Sequence, residues 1–127
     1  MKRWLPTILA FAFVCGMIFL ADAGYGVAFF CTVQDSGADK LGHFGLIGGL
    51  AYFLNVSLLC RLWRRVLLGS LIVIVLCTAE ELSQAWLPRR RCDIFDLAAD
   101  FAGIWVAGLL ARRVCARGAQ VGSGLQG

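Results

Sequence analysis

The sequence predicts an all-α fold: a four-helix transmembrane bundle, or three helices if residues 1–23 are cleaved as a signal peptide. Three observations predict it. Hydrophobic residues make up 60% of the 127 and charged residues 16%, more apolar surface than a soluble domain of this size can bury. The charges fall in clusters that divide the chain into four apolar runs, and a bilayer core about 30 Å thick takes roughly 20 such residues per helix. The third and fourth runs reach that length only by taking in acids. Those carboxylates then lie below the membrane surface, where they must face a protein interior or a wet cavity.

The first span runs from Trp4 to Ala21 without a charge. Residues 1–23 also fit a signal peptide, with Lys2 and Arg3, an apolar run, and Ala21-Asp22-Ala23 as a cleavage site. If kept, they form a first transmembrane helix or signal anchor. Residues 24–40 form an outer loop, in which Tyr25, Phe29 and Phe30 suit a membrane interface. The second span lies between Lys40 and Arg61 and is interrupted only by His43. Gly42, Gly45, Gly48 and Gly49 give it a small face, and Gly45 with Gly49 has the GxxxG spacing that lets membrane helices approach. The third begins after Arg65 and meets Glu80 after 14 uncharged residues; full length carries it through Glu81 and Gln84. The fourth, read back from Arg112, meets Asp100 after 11, then Asp96 and Asp93. On it Asp93, Asp96, Asp100, Gly103 and Ala107 make one helical stripe. Residues 41–111 are therefore the helical core, and 112–127 a flexible cytoplasmic tail.

Basic residues favour the cytoplasmic side of short loops. With both termini inside, eight of the 12 lysines and arginines are cytoplasmic and all eight acids fall on the outer half. The net charge of +4 is spread over span ends rather than one surface, so no nucleic-acid partner is expected. Heights follow from about 1.5 Å per residue. Glu81 and Asp96 each lie 16 residues from the inner boundary at Arg65 and Arg112, about 24 Å up. His43 lies 18 residues from Arg61, about 27 Å up. An imidazole and two carboxylates from three helices share one level, as the rim of an outward-facing polar cup. Asp39 stacks on His43 at four-residue spacing. The second and fourth helices both begin at the cup, where Asp39 and Asp93 suit capping positions.

At these residues the chain resembles the VanZ-like family of bacterial membrane proteins. Asp39-Lys40-Leu41-Gly42-His43-Phe44 is like that family's Asp-Lys-x-x-His-Phe, and Glu81-Leu82-Ser83-Gln84 like its Glu-x-x-Gln. Pro88 to Asp96 is similar to Pro-Gly-Arg-x-x-Asp-x-x-Asp, with Arg90 as the motif arginine and Asp93 and Asp96 as its acids. Gly103 matches the glycine that follows, so the likeness covers about residues 39–108. Two positions depart from the pattern: Arg89 stands for glycine, and Asp100 for asparagine, adding a charge. The resemblance implies a multi-pass protein of the bacterial cytoplasmic membrane, acting in the cell envelope and linked to glycopeptide (teicoplanin) resistance.

Three kinds of chemistry fit the cup. In the first, Arg90 with Lys40, Arg89 and Arg91 binds an anionic group, a lipid phosphate or a glycopeptide carboxylate. Asp39, Glu81, Gln84, Asp93, Asp96 and Asp100 form the network that orients it. In the second, the chain is an enzyme of phosphoryl or acyl transfer on a lipid-linked substrate. His43 is then the candidate general base, oriented by Asp39 or Glu81, with Arg90 stabilising negative charge. Ser83 sits beside Gln84, but there is no nucleophile elbow and no phosphate loop. In the third, the charges are a buried ion network that fixes helix register against a partner. No cofactor is indicated; a metal site ranks below these three, since carboxylates could hold Mg²⁺ or Ca²⁺ but one histidine without paired cysteines argues against structural zinc. Cys15 and Cys77 read as core residues within spans, and Cys60 and Cys115 lie at cytoplasmic ends. Cys31 and Cys92 share the outer side, where a disulfide could form. Oligomeric state is left open.

Overall fold

A computed structural model describes residues 2–23, 38–84, 86 and 94–124. Four α-helices dominate them: α1 (Leu5–Asp22), α2 (Ala38–Ser57), α3 (Leu68–Gln84) and α4 (Ile94–Gly124). Between α2 and α3 lie two short strands, β1 (Leu62–Trp63) and β2 (Val66–Leu67), paired antiparallel. The protein is mostly helical, as its apolar runs predict. One helical stretch, Ile94–Gly118, is long and apolar enough to cross a membrane; Leu5–Leu20 is apolar but shorter. α4 continues past Arg112 to Gly124, so helix occupies most of the stretch expected to be a flexible tail. The residues 109–117 explain this: leucine, alanine and arginine dominate, and no proline stops the run.

Successive helices alternate in direction, which makes α2 and α4 parallel. Their register is nearly constant: Lys40 meets Asp96, His43 meets Asp100, Gly48 meets Gly103 and Cys60 meets Cys115. Two helices of equal rise packed side by side must show such an offset. Glycine makes the approach possible. A Cβ on Gly48 would stand 2.9 Å from the Gly103 carbonyl oxygen, and one on Gly103 would overlap the Phe44 carbonyl. Gly45 and Gly49, the pair with GxxxG spacing, would meet nothing within 4 Å. The expected contact through that pair is therefore corrected. The packed face of α2 runs through Phe44, Gly48, Ala51 and Asn55, one residue round the helix from Gly45 and Gly49.

Val14, Leu50, Ala51, Val73, Cys77, Ile104 and Ala107 form the core between the helices. Cys77 is thus a core residue as expected, whereas Cys15 faces outward on α1. Large apolar side chains cover the outside of all four helices, among them Phe13, Phe19, Phe53, Val75, Trp105 and Leu110.

The basic end is tied together more closely than its sequence suggests. Helix α2 stops in a Schellman motif, in which Cys60 N–H donates to Asn55 O (2.8 Å) and Leu59 N–H to Val56 O (3.0 Å). Leu59 and Cys60 then carry positive φ of 54° and 52°. Arg64 and Arg65, at 48° and 72°, make the two-residue turn of the hairpin, a role usually given to Asn-Gly. Buried Asn55 caps α3 from another helix. Its Oδ1 accepts from Ser70 N–H (3.0 Å) and its Nδ2 donates to Ser70 Oγ (2.8 Å). Gly69 leaves room for this, since a Cβ there would stand 2.8 Å from Asn55 N. Ser57 Oγ donates to Arg3 O at 2.9 Å, so its one hydroxyl proton is used and Thr7 Oγ1 must donate to it at 2.8 Å. Finally, Cys60 and Cys115 form a disulfide with Cα atoms 6.3 Å apart. The sequence places these two only at neighbouring helix ends and offers no pairing.

Candidate functional site

The opposite end of the bundle carries the polar residues. The parallel pair α2 and α4 both begin there, bringing Lys40 and His43 on one helix against Asp96 and Asp100 on the other. Helix α3 runs the other way and ends there. Its height is fixed by Ser70 against Asn55. Eleven residues along α3 from Ser70 reach Glu81, and twelve back along α2 from Asn55 reach His43, a difference of about 1.5 Å.

Three carboxylates are buried at this end: Glu81 (3% exposed), Asp96 (6%) and Asp100 (3%). Charge buried at this depth costs several kcal/mol per ion unless it is paired and hydrogen-bonded. The structure supplies two cross-helix pairs. His43 Nδ1 lies 3.1 Å from Asp100 Oδ1, and Lys40 Nζ lies 3.5 Å from Asp96 Oδ1. The His43 side chain is 22% exposed and that of Lys40 43%, so the pairs reach from a shielded floor toward an open rim. Asp96 sits in the first turn of α4, where the partial positive charge of the helix N-terminus favours a carboxylate. A carboxylate on Nδ1 also selects the tautomer that leaves Nε2 as the acceptor when the ring is neutral.

Several site expectations change in detail. One carboxylate that meets His43 is Asp100, at the position where the VanZ-like pattern has asparagine, a partner that the sequence did not offer. Lys40, expected among the anion-holding cations, is engaged by Asp96. Of Asp39 and Gln84 the helical backbone alone is described, and Arg89, Arg90, Arg91, Cys92, Asp93 and Cys31 lie outside the described residues. Ser83 is exposed and donates to its own helix at the Glu80 carbonyl (2.6 Å). That is an ordinary helical serine bond, not the setting of a nucleophile. No group of three or more metal-ligating side chains occurs among the described residues.

Two polar groups at the basic end escaped the sequence reading, the Asn55–Ser70 cap and the Thr7–Ser57–Arg3 chain. An asparagine inside an otherwise apolar run was the available signal, because a buried amide must find partners. No family model, curated protein or solved structure matches this chain.

Proposed function

We propose that this chain is a four-span membrane protein of the bacterial cell envelope whose outward-facing polar site binds an anionic ligand. Both termini are cytoplasmic, and the site recognises a phosphate or carboxylate, such as that of a membrane lipid or a glycopeptide. The observation that carries the reading is the burial of Glu81, Asp96 and Asp100 at one end of helices whose outer faces are apolar. Outward apolar surface on this scale belongs against lipid or a partner, and buried carboxylates at a helix end mark a functional site by default in that setting. Lys40 is already held by Asp96, so recognition falls to Arg89, Arg90 and Arg91, which precede α4 directly in the chain. Their planar guanidinium groups suit bidentate contact with phosphate or carboxylate. The likeness to VanZ-like proteins, which includes Arg90, agrees with this and suggests a link to teicoplanin resistance.

The test is lipid and small-molecule mass spectrometry of the detergent-purified protein, beside teicoplanin susceptibility of cells that express it. Arg90→Lys should insert normally yet lose the co-purifying anion and any protection, because a point charge cannot replace the fork. Wild-type behaviour of that variant would remove the proposal.

One observation favours a second reading, in which the chain is an enzyme of phosphoryl or acyl transfer on a lipid-linked substrate. The His43–Asp100 pair has the geometry of an oriented general base. Turnover of a lipid phosphate by the purified protein, abolished in His43→Gln, would decide for it.

A further inference from the structure

On the lipid-facing side, between α3 and α4, an open groove of about 250 Å³ runs toward the basic end. Ile74, Phe101, Trp105, Gly108 and Leu109 line it, and Arg112 stands at its basic end. Gly108 lets α4 settle on β2, just before α3, since a Cβ there would stand 3.3 Å from Leu67 Cδ1. The polar atom in the wall, Ser70 Oγ, is already the acceptor for Asn55. Apolar walls and a cation at one mouth are the complement of an anionic amphiphile.

Dimensions select the amphiphile. From Phe101 to Arg112 is eleven residues, about 16 Å of helix, close to half of a 30 Å hydrocarbon core, which is one leaflet. A helix of that length and about 10 Å width would fill over 1,000 Å³; the groove seats a single extended chain. The Arg112 guanidinium has five N–H donors, and its bond to the Arg65 carbonyl (3.2 Å) takes one. We propose that this groove holds one acyl chain of an anionic phospholipid from the leaflet at the basic end, with the phosphate on Arg112. The site is separate from the polar cup, at the other end of the bundle. It rests on the membrane-spanning reading above, but not on anion binding at the cup.

The experiment begins with carbonate extraction of membranes expressing the full chain, followed by native mass spectrometry of the detergent-purified protein. Phosphatidylglycerol and phosphatidylcholine with identical acyl chains are offered in equal amounts. Wild type should retain one phosphatidylglycerol in about tenfold preference, the factor expected of one charge-assisted contact. Arg112→Gln, at an exposed position, should bring the two lipids to parity while still binding lipid, and Leu109→Trp should lower retention of both at least severalfold. An unchanged preference in Arg112→Gln overturns the proposal even if Leu109→Trp fails to fold. So does loss of the lipid in Arg90→Ala instead, which would assign it to the cup. A dimer that dissociates in Leu109→Trp without any lipid loss would give the groove to a second copy. Release of the chain by carbonate would defeat the membrane reading and this inference together. Retention in the membrane without lipid preference would defeat this inference alone.

Discussion

Single residues at the two ends of the bundle do opposite work. At the basic end, Leu59 is 68% exposed and has φ of 54° at the Schellman position that usually holds glycine. The left-handed conformation costs an L-residue roughly 1–2 kcal/mol, against a loss of about 0.5–1 kcal/mol for the greater unfolded freedom of glycine. Leu59→Gly should therefore raise stability by up to about 1.5 kcal/mol, read from thermal unfolding in detergent. At the polar end, the His43–Asp100 bond of 3.1 Å ties α2 to α4. A double-mutant cycle of His43→Ala and Asp100→Ala should show coupling of about 0.5–3 kcal/mol; additive losses would show that the bond contributes nothing. The residues of this site were legible because a histidine or carboxylate inside an apolar run needs a reason to be there. Which carboxylate serves His43 was not legible. Counted from Arg112, Asp100 stands 12 residues up, against 18 for His43 from Arg61, about 9 Å lower by helical rise, so only the packed register of α2 and α4 brings the two together.

Helices behave as the periodicity says, but their contacts do not follow motif. The stripe of Asp96, Asp100, Gly103 and Ala107 on α4 faces α2, as its spacing implies. On α2 the contact passes through Gly48, while Gly45 and Gly49 stand clear. Gly103→Ala should consequently cost about 1–3 kcal/mol, the usual penalty for overpacking, because its Cβ meets backbone that cannot rotate aside. Gly45→Ala should be neutral or stabilising by up to about 1 kcal/mol through helix propensity. Equal effects at both positions, measured by unfolding of the two variants side by side, would refute this choice of face. A pattern of small residues announces that a close approach exists. Choosing among four glycines within eight residues requires the partner surface, since Gly42, Gly45 and Gly49 share one side of the helix and Gly48 lies one residue round from it. The hairpin between α2 and α3 shows the same limit: Arg64-Arg65 carries none of the usual turn chemistry, so nothing local announced it.

Across the whole molecule, the Cys60–Cys115 disulfide closes a sequence separation of 55 residues and, by the chain-entropy relation, stabilises by about 4 kcal/mol. It lies at the end that the proposed topology puts in the cytoplasm, where thiols are kept reduced. In growing cells both cysteines should therefore alkylate with a permeant maleimide before any reductant is added. In isolated, oxidised membranes they should be blocked, and unfolding should become harder. A bond already present in intact cells would place the basic end outside and invert the orientation. What the sequence determined by itself was how many apolar helices there are, where they begin and, the extension of α4 to Gly124 apart, where they end to within a few residues, and which end gathers the acids. These depend on local composition and on the length of a helical rise, both of which are written along the chain. The tertiary structure alone decided the parallel register of α2 and α4, the choice of Gly48 and Asp100, the remote cap from Asn55 and the pairing of Cys60 with Cys115. Each of those joins residues at least 15 apart, and depends on how one helix is rotated against another, which local pattern does not encode.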